Sequence, residues 1–200
     1  MLHIITPLYR FENLELIYNS ILMNDDITWH ISKSNEREEI SLDCINKDKR
    51  IKVYNTNCKD VEVGKKRDFV LKNIKNGYFC FLDDDTLFHE NMYLKYFECK
   101  EENFIGMLVG QQIDYDDEVR LIASKPIINH IDVGNVISHS SCLSRCKWPE
   151  IPYVANDYVF WNSVYDLYGK KCAIWNQPIS YYNKLNPKQI YGTKKEKHLK

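Results

Sequence analysis

The chain has 200 residues, enough for one domain with a substantial core and too few for two full ones. Hydrophobic residues make up 44% and charged residues 28%, and the formal net charge of −1 disfavours a protein that coats nucleic acid. No apolar run approaches membrane-spanning length, and the opening Leu2-His3-Ile4-Ile5 lacks the charged and apolar regions of a signal peptide.

Residues 2–6 form a short apolar run ended by Pro7, which predicts a first buried strand. Residues 13–24 carry Leu14, Ile17, Ile21 and Leu22 at helical spacing. Residues 28–32 alternate as a second strand, with Trp29 and Ile31 on one face. The polar stretch 34–50 has Ile40, Leu42 and Ile45 as anchors for a short helix, and residues 51–54 form a third strand. Residues 64–75 are expected as a helix with Phe69, Val70 and Ile74 as its apolar stripe. Gly77 then starts a strongly apolar strand, Tyr78-Phe79-Cys80-Phe81-Leu82.

The second half is less regular. Residues 91–99 predict a helix, 104–109 and 119–123 strands, and 131–139 mix strand formers with Gly134. Residues 156–168 predict a helix with Val159, Phe160, Val164 and Leu167 facing inward, followed by strands at 173–175 and 179–182. The lysine-rich residues 194–200 are expected as a solvated end, capable of at most a weak peripheral membrane contact. Seven cysteines, an odd number with no CxxC pair, fit reduced thiols and a cytoplasmic location. Apolar strands alternating with helices predict a single α/β domain with a central, mostly parallel mixed sheet flanked by helices. Ligands in such sheets bind beyond the carboxyl ends of the strands, where Pro7, Tyr9, Arg10 and Asp83-Asp84-Asp85 fall.

Three consecutive aspartates repel one another, and solvation gives no reason to place them after five apolar residues. A divalent cation supplies one: Mg²⁺ and Mn²⁺ take carboxylate oxygens and keep positions open for phosphate. In an extended chain, Asp83 and Asp85 point away from Asp84, so one carboxylate can hold the metal while a neighbour accepts ribose hydroxyls. The competing explanation is an acidic loop in which Asp85 or Thr86 caps the following segment.

Phe81-Leu82-Asp83-Asp84-Asp85 resembles the DxD motif of GT-A fold glycosyltransferases. Ile4-Ile5-Thr6-Pro7-Leu8-Tyr9-Arg10 resembles the first strand and loop of that superfamily, with an Ile-Thr-Pro opening similar to that of β-1,3-glucuronyltransferases. Val63-Gly64-Lys65-Lys66-Arg67-Asp68 resembles the segment before the DxD strand, although the family usually has Asn where this chain has Asp68. The resemblance covers the first half well and the second half loosely. It implies a GT-A-like domain with a nucleotide-sugar half at 1–87, an acceptor half at 88–190 and a basic tail at 191–200.

Carried over, Asp85 resembles the principal metal ligand, Asp84 the ribose and secondary metal contact, and Asp83 a base or ribose contact. Thr6, Pro7, Tyr9, Arg10 and Arg67 match nucleotide-side positions. The implied activity is transfer of a sugar from a nucleoside diphosphate, with UDP favoured, to a hydroxyl of a glycan or other acceptor. Asp157, at the start of a helix, resembles the base of inverting enzymes, although the family often has Glu-Asp where this chain has Asn156-Asp157. Trp148, Tyr153 and Trp161 are candidates for stacking on an acceptor sugar, and Gln111 and Gln112 for bonding donor hydroxyls. No histidine occupies the stretch around Trp175 and Tyr182 where the family often finds a further ligand, so water is the expected substitute.

Three rivals share part of this pattern. A sugar-nucleotide-forming nucleotidyltransferase has a related fold but wants a glycine-rich, arginine-bearing loop after the first strand, where this chain has Arg10 and no glycine. A haloacid-dehalogenase phosphatase also has an apolar strand followed by Asp-x-Asp, with Asp83 as nucleophile and Asp85 as the second acid. It wants Thr or Val where this chain has Leu87, and it places the motif near the start of the chain. A non-catalytic carbohydrate-binding module is the non-enzyme alternative, against which the intact aspartates argue.

Overall fold

The computed structural model of the protein describes residues 1–21, 24–36, 43–114, 116–128, 130–149 and 156–185. The first half runs β1 (Leu2–Pro7), α1 (Leu14–Ser20), β2 (Ile27–Ser34), α2 (Asp43–Lys47), β3 (Ile51–Thr56), α3 (Val63–Leu71) and β4 (Tyr78–Phe81). The second runs β5 (Leu87–Phe88), α4 (Asn91–Glu101), β6 (Met107–Ile113), β7 (Val119–Leu121), β8 (Val136–His139), α5 (Asn156–Tyr168) and β9 (Cys172–Tyr181).

The strands join one nine-stranded sheet in the order β3-β2-β1-β4-β8-β6-β9-β5, with β7 beside β6. Pairing is parallel from β3 through β2 and β1 to β4, and again between β6 and β9. The pairs β4–β8, β6–β8, β6–β7 and β5–β9 are antiparallel, so the parallel character expected of the whole sheet belongs mainly to the first half. This is the expected α/β fold with a mixed sheet, and the same sheet runs through both halves of the chain.

Alternation along β1 and β4 builds a core on each face. Leu2 and Ile4 join Tyr78, Cys80 and Leu82 in a cluster roofed by Leu14 and Ile17 of α1 and by Met92 and Tyr96 of α4. Trp29 and Ile31 fall on this same face, as their spacing predicts. Ile5 joins Phe79 and Phe81 on the other, against Val70 of α3 and Phe160, Trp161 and Val164 of α5. Ahead of β4 the chain reverses at Gly77, whose φ of +104° and close approach to the Met1 carbonyl admit no side chain.

Several elements differ from their expected extents. α1 stops at Ser20 because Ile21 turns extended, with φ −83° and ψ 123°. Phe69 and Val159 were expected to face inward and are exposed. On a 3.6-residue period their neighbours Lys66, Arg67 and Val70, and Phe160 and Trp161, take the inner faces. The two final strands are one, β9, which accommodates Pro178 through register shifts against Val109, Gln111 and Gln112. Strand β6 begins at Met107 rather than at residue 104, and β5 has no two-residue signal in the sequence strong enough to predict it. Leu22, Ile40 and Leu42 lie outside the described residues. Among those described, no helix is long and apolar enough to cross a membrane.

Candidate active site

The aspartates do not continue β4 as an extended chain. The Asp83 carbonyl accepts the Thr86 N–H at 3.0 Å, closing a turn that sends the three carboxylates in different directions. The divergence expected from strand pleating is therefore produced by the turn.

Asp84 points back at the loop after β1. Its Oδ2 accepts the backbone N–H groups of Tyr9 (2.5 Å) and Arg10 (2.7 Å), and its Oδ1 accepts Arg10 Nη1 at 2.6 Å. Asn13 Nδ2 donates to the Asp84 carbonyl at 2.7 Å. From the other side, the fully buried Lys66 donates from Nζ to the Leu8 carbonyl at 2.9 Å and pairs with Asp60 at 3.3 Å. The Leu8–Arg10 loop is thus pinned by charge-assisted bonds from both β4 and α3. A ribose or cation contact through Asp84 would share oxygens already engaged with this loop.

Asp83 turns toward α3. Arg67 Nη2 donates to its Oδ1 at 2.5 Å, and Arg67 Nη1 reaches Asp157 Oδ1, in the first turn of α5, at 3.3 Å. The guanidinium lies 4.9 Å from the Trp148 ring and 5.5 Å from that of Phe81, an apolar seat that strengthens its hold on both acids. Gly64 makes the seat possible, since a Cβ there would stand 2.5 Å from Trp148 Nε1. Burial pushes Asp157 up to about 7, opposed by Arg67 and assisted by the negative charges of Asp132 and Asp83. Burial also raises Asp83 against the pull of Arg67.

Asp85 is buried at the back of the turn. Arg10 Nη1 approaches its Oδ2 at 3.2 Å, and Thr86 Oγ1 donates to its Oδ1 at 3.4 Å. With its amide nitrogen turned inward, Asn183 donates to both oxygens, at 3.3 and 2.9 Å. Burial first, then the charge of Asp83, raises Asp85 to about 7 despite Arg10. A desolvated carboxylate crowded by like charges suits a hard cation, which takes oxygen ligands and commonly binds through one carboxylate plus substrate phosphates and water. Among the described residues no three His, Cys, Asp or Glu side chains converge on one point, so phosphate and water would supply the remaining coordination.

A cavity of about 250 Å³ opens over this corner. Pro7, Tyr9, Arg10 and the three aspartates line one side of it and Asp60, Val61 and Val63 the other. Thr6 is fully buried beneath, where its Oγ1 accepts Trp29 Nε1 at 2.9 Å. Trp148 carries Arg67, and Trp161 is fully buried against Phe79 and Phe81, which leaves its ring no exposed face. Tyr153 lies outside the described residues.

Gln112 is fully buried, bonded through Nε2 to Ser180 Oγ (3.2 Å) and Asp132 Oδ1 (3.4 Å), and its Oε1 accepts from Arg120. Burial alone would raise Asp132, but Arg120, the Gly134 N–H and Arg67 together hold it below the ordinary value. Lys66, Asp60 and Asn13 carry structural weight at this corner that spacing did not single out, as do Asp132, within the segment 131–135 read as an acceptor-side strand, and Asn183, within the stretch where the family often finds a further ligand. Most meet their partners across a gap in sequence; the Lys66–Asp60 pair and the Asp132–Gly134 cap are close along the chain.

No protein-family model matches the sequence, and no curated protein does. Solved structures do match in fold. Residues 1–349 of S. aureus TarS superpose with a TM-score of 0.69 at 16% identity, covering 90% of this chain and 59% of that one. The same fragment in complex with UDP-GlcNAc gives 0.68 at 17% identity, covering 90% and 57%. A Bacillus anthracis protein assigned as a glucose-1-phosphate thymidylyltransferase gives 0.50 at 13% identity, covering 90% and 88%. The likeness establishes a GT-A-like fold, and the chain spans 59% of the length of the TarS fragment.

Proposed function

We propose that the protein transfers a glycosyl group from a nucleoside diphosphate sugar, UDP-linked by preference, to a hydroxyl of a glycan or other acceptor, with inversion. The observation that carries this reading is Arg67, which joins Asp83 at the nucleotide corner to Asp157, a carboxyl poised at about 7, across a fold of GT-A type. The TarS fragment, which shares that fold, has been solved with UDP-GlcNAc and with UDP.

In this scheme Pro7, Tyr9 and the Asp60–Val63 wall receive the nucleotide, and Arg10 and Asp85 face its diphosphate. Asp85 would hold Mn²⁺ or Mg²⁺, which would supply positive charge to neutralise the departing diphosphate. Asp157 accepts the proton of the acceptor hydroxyl as its oxygen forms a bond to the anomeric carbon and the bond to the diphosphate breaks. A pKa near neutrality leaves the carboxylate available yet basic enough to draw that proton. Arg67 holds Asp157 in place and keeps part of its population ionised. The free thiols among the described residues suit a reducing, cytoplasmic setting.

The test is a panel of nucleotide sugars with Mn²⁺, followed by thermal shift and by release of nucleoside diphosphate. A donor that stabilises the fold only with metal identifies itself by mass action. Asp157→Asn keeps that stabilisation and loses transfer. Stabilisation by fluoroberyllate and none by any nucleotide would instead favour a phosphatase.

A further inference from the structure

We propose that Arg10 is an internal counter-cation that holds the metal position at Asp85 closed until a nucleotide diphosphate draws its guanidinium away, so that donor and metal bind as a coupled pair. The inference rests on the donor site proposed above and adds to it a residue that enforces mutual dependence.

One guanidinium nitrogen serves two acids. Arg10 Nη1 lies 2.6 Å from Asp84 Oδ1 and 3.2 Å from Asp85 Oδ2, placing positive charge at the corner where a bound cation would sit. Two cations cannot share that corner without repulsion in a partly desolvated site. A small hard cation arriving alone must therefore displace the guanidinium from Asp85.

The side chain is built to leave without dismantling the loop. Asp84 holds the backbone N–H groups of Tyr9 and Arg10 through Oδ2, a different oxygen from the one that meets the guanidinium. Lys66 holds the same loop through the Leu8 carbonyl. Release of the guanidinium breaks its contacts with Asp84 and Asp85 and leaves the main-chain bonds of the loop in place.

The destination is also present. The Arg10 side chain is 21% exposed, runs beside the Tyr9 ring at 5.8 Å, and lines the same cavity as Asp60 and Val61. A diphosphate in that cavity offers paired oxygens matched to a guanidinium fork, in exchange for the one nitrogen shared between Asp84 and Asp85. Once Arg10 turns to the phosphates, Asp85 is relieved of its competitor as the phosphates arrive.

The experiment titrates Mn²⁺ into the full chain with and without UDP, following free Mn²⁺ by electron paramagnetic resonance, for wild type, Arg10→Ala and Arg10→Gln. Thermal melting verifies that each variant folds, and the Gln variant preserves a hydrogen-bonding side chain should Ala fail. In wild type, UDP should tighten Mn²⁺ binding strongly. In both neutral variants, Mn²⁺ alone should bind about tenfold tighter and UDP with Mn²⁺ about tenfold weaker, shifts of opposite sign. Wild type that couples UDP and Mn²⁺, with folded variants whose affinity for Mn²⁺ alone is unchanged or reduced, overturns the latch and leaves the donor site standing. Wild type in which UDP leaves Mn²⁺ affinity unchanged overturns both.

Discussion

Replacing Arg67 by Met tests the charge network that joins the two halves of the site. Arg67 meets Asp83 at 2.5 Å and Asp157 at 3.3 Å, and Met retains an unbranched apolar stem to lie against Trp148. Removing one partner of a fully buried pair costs about 3–5 kcal/mol, because it strands a charge. Here the acid side chains are 34% and 29% exposed, and solvent screening reduces the expected loss to about 2 kcal/mol at pH 7.5. For a chain of this size that corresponds to a fall in Tm of about 4–8 °C.

The loss must depend on pH. Burial already raises both carboxyls, and without the guanidinium they rise further above the ordinary unfolded value of about 4. Between that value and the folded one, the native state holds protons that the unfolded state has released, so the variant loses stability as pH rises. With Asp157 already at about 7 in wild type, urea unfolding should therefore show a deficit that is small at pH 5 and grows as pH rises through 7 to 9. An equal deficit across that range would mean that Arg67 acts through packing, and would refute the charge argument.

Three further outcomes follow from the same geometry. With Asp157 at about 7, the acid limb of kcat/KM should fall near neutrality and move to higher pH in Arg67→Met, as read from initial rates across pH 5–9. Gly64→Ala places a Cβ 2.5 Å from Trp148 Nε1 and 2.9 Å from its Cδ1. The overpacking cost of about 1–3 kcal/mol should exceed the helix-propensity gain of about 1 kcal/mol, lowering the urea midpoint and weakening nucleotide binding together. Burial, with His3 and Lys52 nearby, holds His30 down to about 3, and its Nε2 lies 2.9 Å from His3 Nδ1. Its neutral form contributes stability above about pH 6.5 that is lost as pH falls, at up to about 1.4 kcal/mol per unit, and His30→Asn should flatten that slope in urea titrations.

Much of the aspartate corner was legible because its signals are local. The apolar run ending at Leu82 fixes β4, and the aspartates after it can only fall at a strand end, beside the loop that Pro7 opens. The 3.6-residue pattern likewise marked α5 over Asn156–Tyr168. Partnerships across long separations were not legible. That Arg67 would meet Asp157, ninety positions away, depends on α3 and α5 packing on the same face of the sheet. Trp148 and Trp161 were expected to face an acceptor as aromatic residues near a site. Ring chemistry alone does not distinguish that from the core positions they occupy against Phe81 and Phe79. The orientation of Asp84 was hidden for a different reason: spacing shows that three acids are adjacent, but a turn at Asp83–Thr86 decides which way each one points.

The most direct measurement is calorimetric titration of UDP into wild type and Asp85→Ala, each with Mn²⁺ and again after chelation. The account predicts that wild type binds UDP with Mn²⁺ and loses most of that affinity on chelation, while Asp85→Ala binds weakly and equally in both conditions. Equal UDP affinity for the two proteins, whether or not the metal is present, would contradict it.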